Sequence, residues 1–76
     1  MRRRAPGLSP RQVEVLRWVS EGETSSEIGR RLSISPRTVE DYVGEACQRL
    51  DARSRAQAVA RAVALGLITP RGLPPP

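Results

Sequence analysis

The segment SISPRTV, residues 33–39, decides the fold of this chain because it predicts a tight corner between two helices. Ser35 is a good N-cap, since its hydroxyl can accept a hydrogen bond from a free backbone N–H of the following helix. Pro36 then stands at the first helical position, where the missing N–H of proline costs nothing. A short helix before this corner and a longer helix after it form a helix-turn-helix, a common way to insert one helix into the major groove of DNA.

Similar caps elsewhere divide the chain into four helices. At three of them the cap is followed by Glu or Gln at the third helical position, as in a capping box, where each side chain accepts a hydrogen bond from the other residue's backbone N–H. These pairs are Ser9 with Gln12, Thr24 with Glu27 and Ser54 with Gln57. The predicted helices span residues 10–21, 25–32, 36–50 and 55–65. No run of alternating Val, Ile or aromatic residues indicates a strand, so the predicted fold class is an all-α four-helix bundle.

Apolar residues at helical spacing indicate the buried faces of the first three helices. They are Val15, Leu16 and Val19 in the first, Ile28 and Leu32 in the second, and Val39, Val43, Ala46 and Leu50 in the third. Gly22 and Gly66 are expected to end the first and fourth helices. Gly29 has two interpretations, a close approach to the third helix or a glycine that is merely tolerated. Cys47, on the flank of the third helix, is expected to be a weakly buried structural thiol rather than a redox sensor.

Composition narrows the class of function. The 76 residues leave room for one small domain, and 13 arginines against 8 acidic residues give a formal charge of +5. Such an excess favours an anionic partner such as nucleic acid. The single cysteine excludes an internal disulfide and fits a reducing cytoplasm, which is the predicted location. No apolar run approaches the ~20 residues that a membrane span needs, so no membrane partner is expected.

An enzyme has little support. The sequence contains no histidine, which excludes His-based catalysis and a Cys/His zinc site. It also contains no glycine-rich phosphate loop and no nucleophile beside a base. We therefore expect no catalytic residue, no metal, no cofactor and no small-molecule ligand in this segment.

The fourth helix has a second apolar face. Ala58, Val59, Ala62 and Gly66 lie on the side that can cover the core, whereas other small residues lie on the far side. These are Ala56, Ala60 and Ala64, with Val63 at the border of that stripe. A helix that is apolar all round must bury both faces, which predicts a homodimer with two such helices in contact. The alternative is that alanine is only a good helix former that tolerates water.

These motifs together resemble the LuxR-type, or GerE-type, helix-turn-helix domain of bacterial transcriptional regulators. The resemblance spans residues 8–68, and from the sequence we expect a flexible basic tail at 1–7 and a disordered proline-rich tail at 69–76. The matching stretches are LSPR at 8–11, EVL at 14–16, EG at 21–22, EI at 27–28, RL at 31–32, IS at 34–35, TV at 38–39, RL at 49–50, RSR at 53–55 and QAVA at 57–60. The ending GLI at 66–68 resembles the quorum-sensing branch. Two alternatives stay open, a fragment of a longer regulator and a stand-alone regulator.

The resemblance implies a DNA-binding transcriptional regulator that acts as a dimer, with helix three as the recognition helix and helix four at the interface. It also implies individual DNA contacts. Ser25 and Ser26 should meet phosphate at the start of helix two, and Arg37 and Thr38 stand at the mouth of the recognition helix. Basic positions near the DNA backbone are matched by Arg49, Arg53 and Arg55. For each arginine, an ordinary solvated charge is the alternative.

The outer face of helix three carries the departures from the family. Glu40 stands where Lys is usual and Tyr42 where His is usual, and the helix has three carboxylates against two arginines. One hypothesis is that Glu40 or Asp41 accepts a hydrogen bond from cytosine N4 in the major groove. The competing hypothesis is that the helix faces a protein and that DNA binding is weak or lost. Gly44 and Gln48 complete this face, and an exposed mid-helix glycine at Gly44 is explained either by close approach to a base or by drift.

Overall fold

The computed structural model describes residues 7–69, and within them all regular structure is helical. The elements are α1 (Pro10–Ser20), α2 (Ser25–Leu32), α3 (Pro36–Arg49) and α4 (Arg55–Ala64). The predicted all-α fold with four helices is confirmed. The predictions of tails at 1–7 and 69–76 fall outside the described residues except at Gly7 and Thr69.

The predicted N-caps form, and two of the three capping boxes close. The hydroxyls of Ser9 and Thr24 accept from the third helical N–H, and Gln12 and Glu27 accept in return from the cap N–H. For the third box, at Ser54, the prediction is half wrong, because only one of its two hydrogen bonds forms.

Ser54 Oγ does accept from Gln57 N at 3.1 Å, but Gln57 Oε1 accepts from Arg53 N at 2.7 Å instead of from the cap. The reason is the backbone at Ser54, whose φ of −149° turns its N–H away from the first turn, whereas Ser9 has a φ of −71°.

The helices end close to the predicted positions. The first, third and fourth each end one residue early, because Glu21, Leu50 and Leu65 are C-caps whose N–H groups still bond back into the helix. Gly22 and Gly66 follow two of these caps with φ of +86° and +75°, a conformation that favours glycine.

The apolar residues form two adjoining clusters that share α1 and α3. One consists of Leu16, Ala46, Leu50, Ala58, Ala62 and Ile68, and joins α4 to α1 and α3. The other consists of Val15, Ile28, Val39 and Val43, and joins α2 to the same pair. Val19 and Leu32 are only half-buried, and Cys47 packs against both clusters. This core packs the two helices of the helix-turn-helix, α2 and α3, against α1 and α4.

The corner between α2 and α3 is tight. A Cβ at Gly29 would lie 2.6 Å from the carbonyl oxygen of Ile34 and 3.4 Å from Pro36 N. Ile34 N also donates to Gly29 O at 2.9 Å. Of the two interpretations of Gly29, the close approach is therefore confirmed. Gly29 approaches the backbone of the turn that leads into α3.

A polar contact joins α2 to α1 on the opposite side. The guanidinium of Arg31 lies 4.0 Å from the ring centroid of Trp18 and donates two hydrogen bonds, at 2.7 and 2.8 Å, to the Glu23 carboxylate. The hydrogen bond from Arg31 lowers the pKa of Glu23. The Arg31 side chain thus contacts both α1 and the loop between α1 and α2.

None of the helices in residues 7–69 has the length and apolar character needed to cross a membrane.

Candidate nucleic-acid interface

The outer face of α3 is open to solvent. Its exposed residues are Arg37, Glu40, Asp41, Gly44, Glu45, Gln48 and Arg49. No other part of the described chain covers them. No heavy atom beyond its own helix and neighbours lies within 4 Å of a Cβ built on Gly44. This face is therefore accessible to a large partner such as a groove of DNA.

The N-terminus of α3 is held in a local network. Ser35 Oγ accepts from Thr38 N at 3.0 Å, and the two hydroxyl oxygens lie 2.9 Å apart. Thr38 is half-buried, so its side chain supports the cap and presents only part of its surface. Arg37 extends outward, with 86% of its side chain exposed.

Each carboxylate of α3 has a partner within the domain. Glu40 accepts from the Ser25 hydroxyl and from Arg55 Nη2, which lies 2.8 Å from one carboxylate oxygen and 3.0 Å from the other. Asp41 pairs with Arg37 one turn earlier, at 3.6 Å. Glu45 accepts from Gln12 Nε2 at 2.9 Å. Of these partners, Arg55 is the one that adds positive charge from outside α3, and it offsets the single charge by which the three carboxylates of that helix exceed its two arginines.

The hydrogen bond from Ser25, together with the one from Arg55, lowers the pKa of Glu40. Glu40 is accordingly a carboxylate at neutral pH, with its donors supplied by α2 and α4. Ser25 is the first residue of α2 and Arg55 the first residue of α4. One side chain on α3 thus connects the beginnings of two other helices, and it brings together three of the residues predicted to bind DNA.

The start of α2 has unused hydrogen-bond donors. The N–H groups of Ser25 and Ser26 lie in the first helical turn, where the helix provides no backbone acceptor. The Thr24 cap instead accepts from the N–H of Glu27, at 3.1 Å. Backbone donors at a helix N-terminus, together with its positive dipole end, suit a phosphate group.

The remaining predicted basic residues lie near the C-terminal end of α3 and in the segment that follows. Arg49 is exposed and its Nη1 donates to the Gly7 carbonyl at 2.6 Å, so it is tied to the segment that leads into α1. Arg53 is exposed in the loop before α4.

Sequence reasoning missed the contacts that join this surface to distant parts of the chain, among them the hydrogen bonds from Ser25 to Glu40 and from Arg49 to the Gly7 carbonyl. The pairing of Glu40 with Arg55 joins residues 15 positions apart, and that of Glu45 with Gln12 joins residues 33 positions apart. Gln12 did carry a signal, since it belongs to the first capping box, but nothing in that motif indicated that its amide also reaches α3.

The second face of α4 is also open. Ala56, Ala60 and Ala64 are exposed, and Leu65 has 48% of its surface exposed. Val63 is half-buried because it packs against the cluster that joins α4 to α1 and α3. The expected apolar stripe is present, with Val63 contributing partly to the domain's own core.

These features define a class: a four-helix domain whose second and third helices form a helix-turn-helix with an open outer face. Residues 6–62 match the sequence profile described as GerE, bacterial regulatory proteins of the luxR family. The chain belongs to this family, as the resemblance in its sequence predicted. The family consists of regulatory proteins rather than enzymes.

The sequence of this chain is similar to those of several curated regulators. The chain is 48% identical over 61 residues to the "HTH-type quorum sensing-dependent transcriptional regulator RpaR" of Rhodopseudomonas palustris, covering 80% of this chain and 25% of RpaR. It is also 48% identical over 61 residues to the "Transcriptional activator protein SolR" of Ralstonia solanacearum, covering 80% of this chain and 26% of SolR. The chain thus spans about a quarter of the length of these curated relatives.

A solved structure has the same fold. The crystal structure of VqmA from Vibrio cholera, in a complex with ligand and DNA, superposes with a TM-score of 0.76 at 28% identity. The match covers 96% of this chain and 33% of the VqmA chain.

Proposed function

We propose that this chain is the DNA-binding domain of a transcriptional regulator, and that it binds duplex DNA as a dimer with α3 in the major groove. The observation that carries the proposal is the open outer face of α3 on a helix-turn-helix of the luxR family. The solved structure of the relative VqmA is a complex that contains DNA, which supports a nucleic-acid partner for this chain. Because the DNA of a bacterium lies in the cytoplasm, we place the protein there.

The charge of the surface also supports DNA. Glu40 is paired with Arg55 and Asp41 with Arg37, so two of the three carboxylates of α3 are balanced by arginines. Arg49 and Arg53 add positive charge close to the same helix. Four arginines of this surface, Arg55 and Arg37 included, thus stand against the three carboxylates of α3 and the exposed Asp51, so the surface is balanced rather than acidic. This weakens the argument that the helix faces a protein instead of DNA.

In this proposal the contacts divide into two kinds. Ser25 and Ser26 bind phosphate at the start of α2, and four basic residues bind the DNA backbone, namely Arg37, Arg49, Arg53 and Arg55. The base edges are reached from the outer face of α3 by Thr38, Asp41, Gly44 and Gln48, and Asp41 accepts from a cytosine N4. Backbone contacts position the domain, and the α3 contacts give sequence preference.

Several curated relatives carry the words "quorum sensing-dependent" in their names, RpaR and the VjbR proteins of Brucella among them. We propose that this domain likewise serves transcription that depends on quorum sensing. The dimer forms through the exposed face of α4, where Ala56, Ala60, Val63 and Ala64 allow two helices to approach closely.

Selection of bound duplexes from a random pool, followed by a salt titration on the selected site, tests the DNA partner. About four phosphate contacts per subunit predict a slope on the order of −3.6 in the log–log plot of affinity against salt. Arg37→Ala should weaken binding, whereas Arg17→Ala, at an exposed arginine on α1, should change it little. A wild-type chain without measurable affinity for any duplex at low salt would support the protein-interaction module instead.

Sedimentation with and without the selected duplex tests the dimer. Two copies are expected on a site with two half-sites, and Ala60→Glu is expected to leave one copy without unfolding α4. A single copy under both conditions would rule out the α4 interface.

A further inference from the structure

One carboxylate connects three helices on the surface that we propose to face DNA. Glu40 of α3 accepts from Ser25 at the start of α2 and from Arg55 at the start of α4. The Glu40 and Arg55 side chains are 47% and 44% exposed, so the group lies at the surface and is accessible to a large ligand.

Folding stability does not account for this group. Ion pairs that are this exposed contribute little to stability, because water screens them and two long side chains must be ordered. α2 and α4 are already held by the two apolar clusters, through Ile28 and through Ala58 and Ala62. A carboxylate on a face that meets phosphates would also repel them unless it is paired.

The geometry leaves one end of the Arg55 guanidinium available. Arg55 reaches Glu40 through Nη2 alone, which contacts both carboxylate oxygens. A guanidinium has five N–H donors in a planar fork, so Nη1 and Nε retain the donors that suit a phosphate. The carboxylate therefore holds the side chain in place without using all of its donors.

We infer that Glu40 is a positioning residue for DNA binding: its carboxylate holds Arg55 ready for the DNA backbone, and the hydrogen bond it accepts from the Ser25 hydroxyl fixes the start of α2, whose backbone N–H groups face the phosphate, while Glu40 itself contacts no base. This inference rests on the proposed function and assigns to Glu40 a different role from that of a base-reading carboxylate. Holding a long side chain in its bound conformation before association removes part of the entropy cost of binding.

The test compares Glu40→Gln with wild type on the selected duplex and on every single-base variant of it. Ordering one long side chain corresponds to about a 2- to 12-fold change in affinity. We expect Glu40→Gln to weaken binding by that factor on all duplexes alike, with the order of base preference unchanged. Arg55→Gln should cause a similar or larger loss, and adding Glu40→Gln to Arg55→Gln should cause little further loss, since Glu40 acts mainly through Arg55.

Glu45→Gln is the matched control, because it makes the same chemical change on the same helix at a carboxylate whose partner is the neutral Gln12. Losing that charge should leave DNA affinity equal or slightly higher. Far-UV circular dichroism and a thermal melt of each variant confirm that the fold is kept.

Two results would overturn the inference while leaving the proposed function intact. Glu40→Gln that binds as tightly as wild type, or more tightly, would mean that the carboxylate only repels DNA. A change of preference confined to one base position would mean that Glu40 reads a base. If wild type binds no duplex at low salt, the proposed function fails, and this inference fails with it.

Discussion

Gly29 provides the most direct test of how the helix-turn-helix is built. An alanine Cβ at this position would lie 2.6 Å from the Ile34 carbonyl oxygen, a distance well inside van der Waals contact. The obstacle is backbone, so it cannot turn aside as a side chain would. The Ile34 N–H is bonded to Gly29 O at 2.9 Å, so moving the turn also disturbs the contact that closes the corner.

Two opposing effects set the magnitude for Gly29→Ala. Overpacking a well-packed site costs about 1–3 kcal/mol, whereas replacing a mid-helix glycine by alanine gains roughly 0.5–1 kcal/mol. Because the clash is with backbone, the cost should lie in the upper part of its range. We expect a net loss of about 1–2 kcal/mol, and in a domain of this size each kcal/mol lowers Tm by about 4–8 °C.

Gly44→Ala is the matched control, because Gly44 is also in a helix but its Cβ would meet nothing within 4 Å. Here only the helix-propensity gain remains, so stability should rise by roughly 0.5–1 kcal/mol. Thermal and urea unfolding followed by far-UV circular dichroism measures both variants. If Gly29→Ala is as stable as wild type, or if both variants shift Tm in the same direction, the close approach at the corner is not what requires glycine.

Three further predictions follow from the core, a cap and the carboxylates. Leu16→Ala removes a fully buried side chain and should lower the unfolding free energy by about 2–5 kcal/mol in urea titrations. Ser9→Ala removes the first capping box and should cost about 1 kcal/mol in the same assay. The pKa values of Glu23 and Glu40 are lowered in the folded state, so their contributions are present above the unfolded pKa and are lost as the pH falls through the folded one. Tm measured from pH 7 to pH 3 should therefore decline below about pH 4.5, and only slightly less steeply in Glu40→Gln, because an ion pair this exposed contributes little to stability. A Tm that rises as the pH falls over this range would contradict the sign of these pKa shifts.

Local signals predict the helices of this chain well. Ser9, Thr24, Ser35 and Ser54 are all N-caps, because a cap depends on a side chain and an N–H only three residues apart. The apolar spacing of α3 likewise predicts its buried face at Val39, Val43 and Ala46. The partner of Gln57 was predicted wrongly because it depends on the φ angle of Ser54, which sequence pattern does not specify.

The charge of the candidate interface could be predicted only in part, because some of its ion pairs join residues that are distant in the sequence. The pair of Arg37 and Asp41 is one helical turn apart and is visible in the sequence. The partners of Glu40 lie at the starts of α2 and α4, and they become neighbours only when the two apolar clusters have assembled. A count of the charges on α3 alone therefore overestimates how strongly this helix repels phosphate.

The departure from the family at Glu40 is better understood as a property of three helices than of one. A lysine at this position would place a positive charge directly on α3, next to Arg55 and the start of α2. Glutamate instead gathers Arg55 and Ser25 around itself, so the positive charge stands on α4 and is held by α3. In the proposed complex with DNA, the two arrangements would present the cation from different elements, and they differ in what a substitution does. Replacing a lysine on α3 removes a contact, whereas replacing Glu40 should loosen one that Arg55 makes.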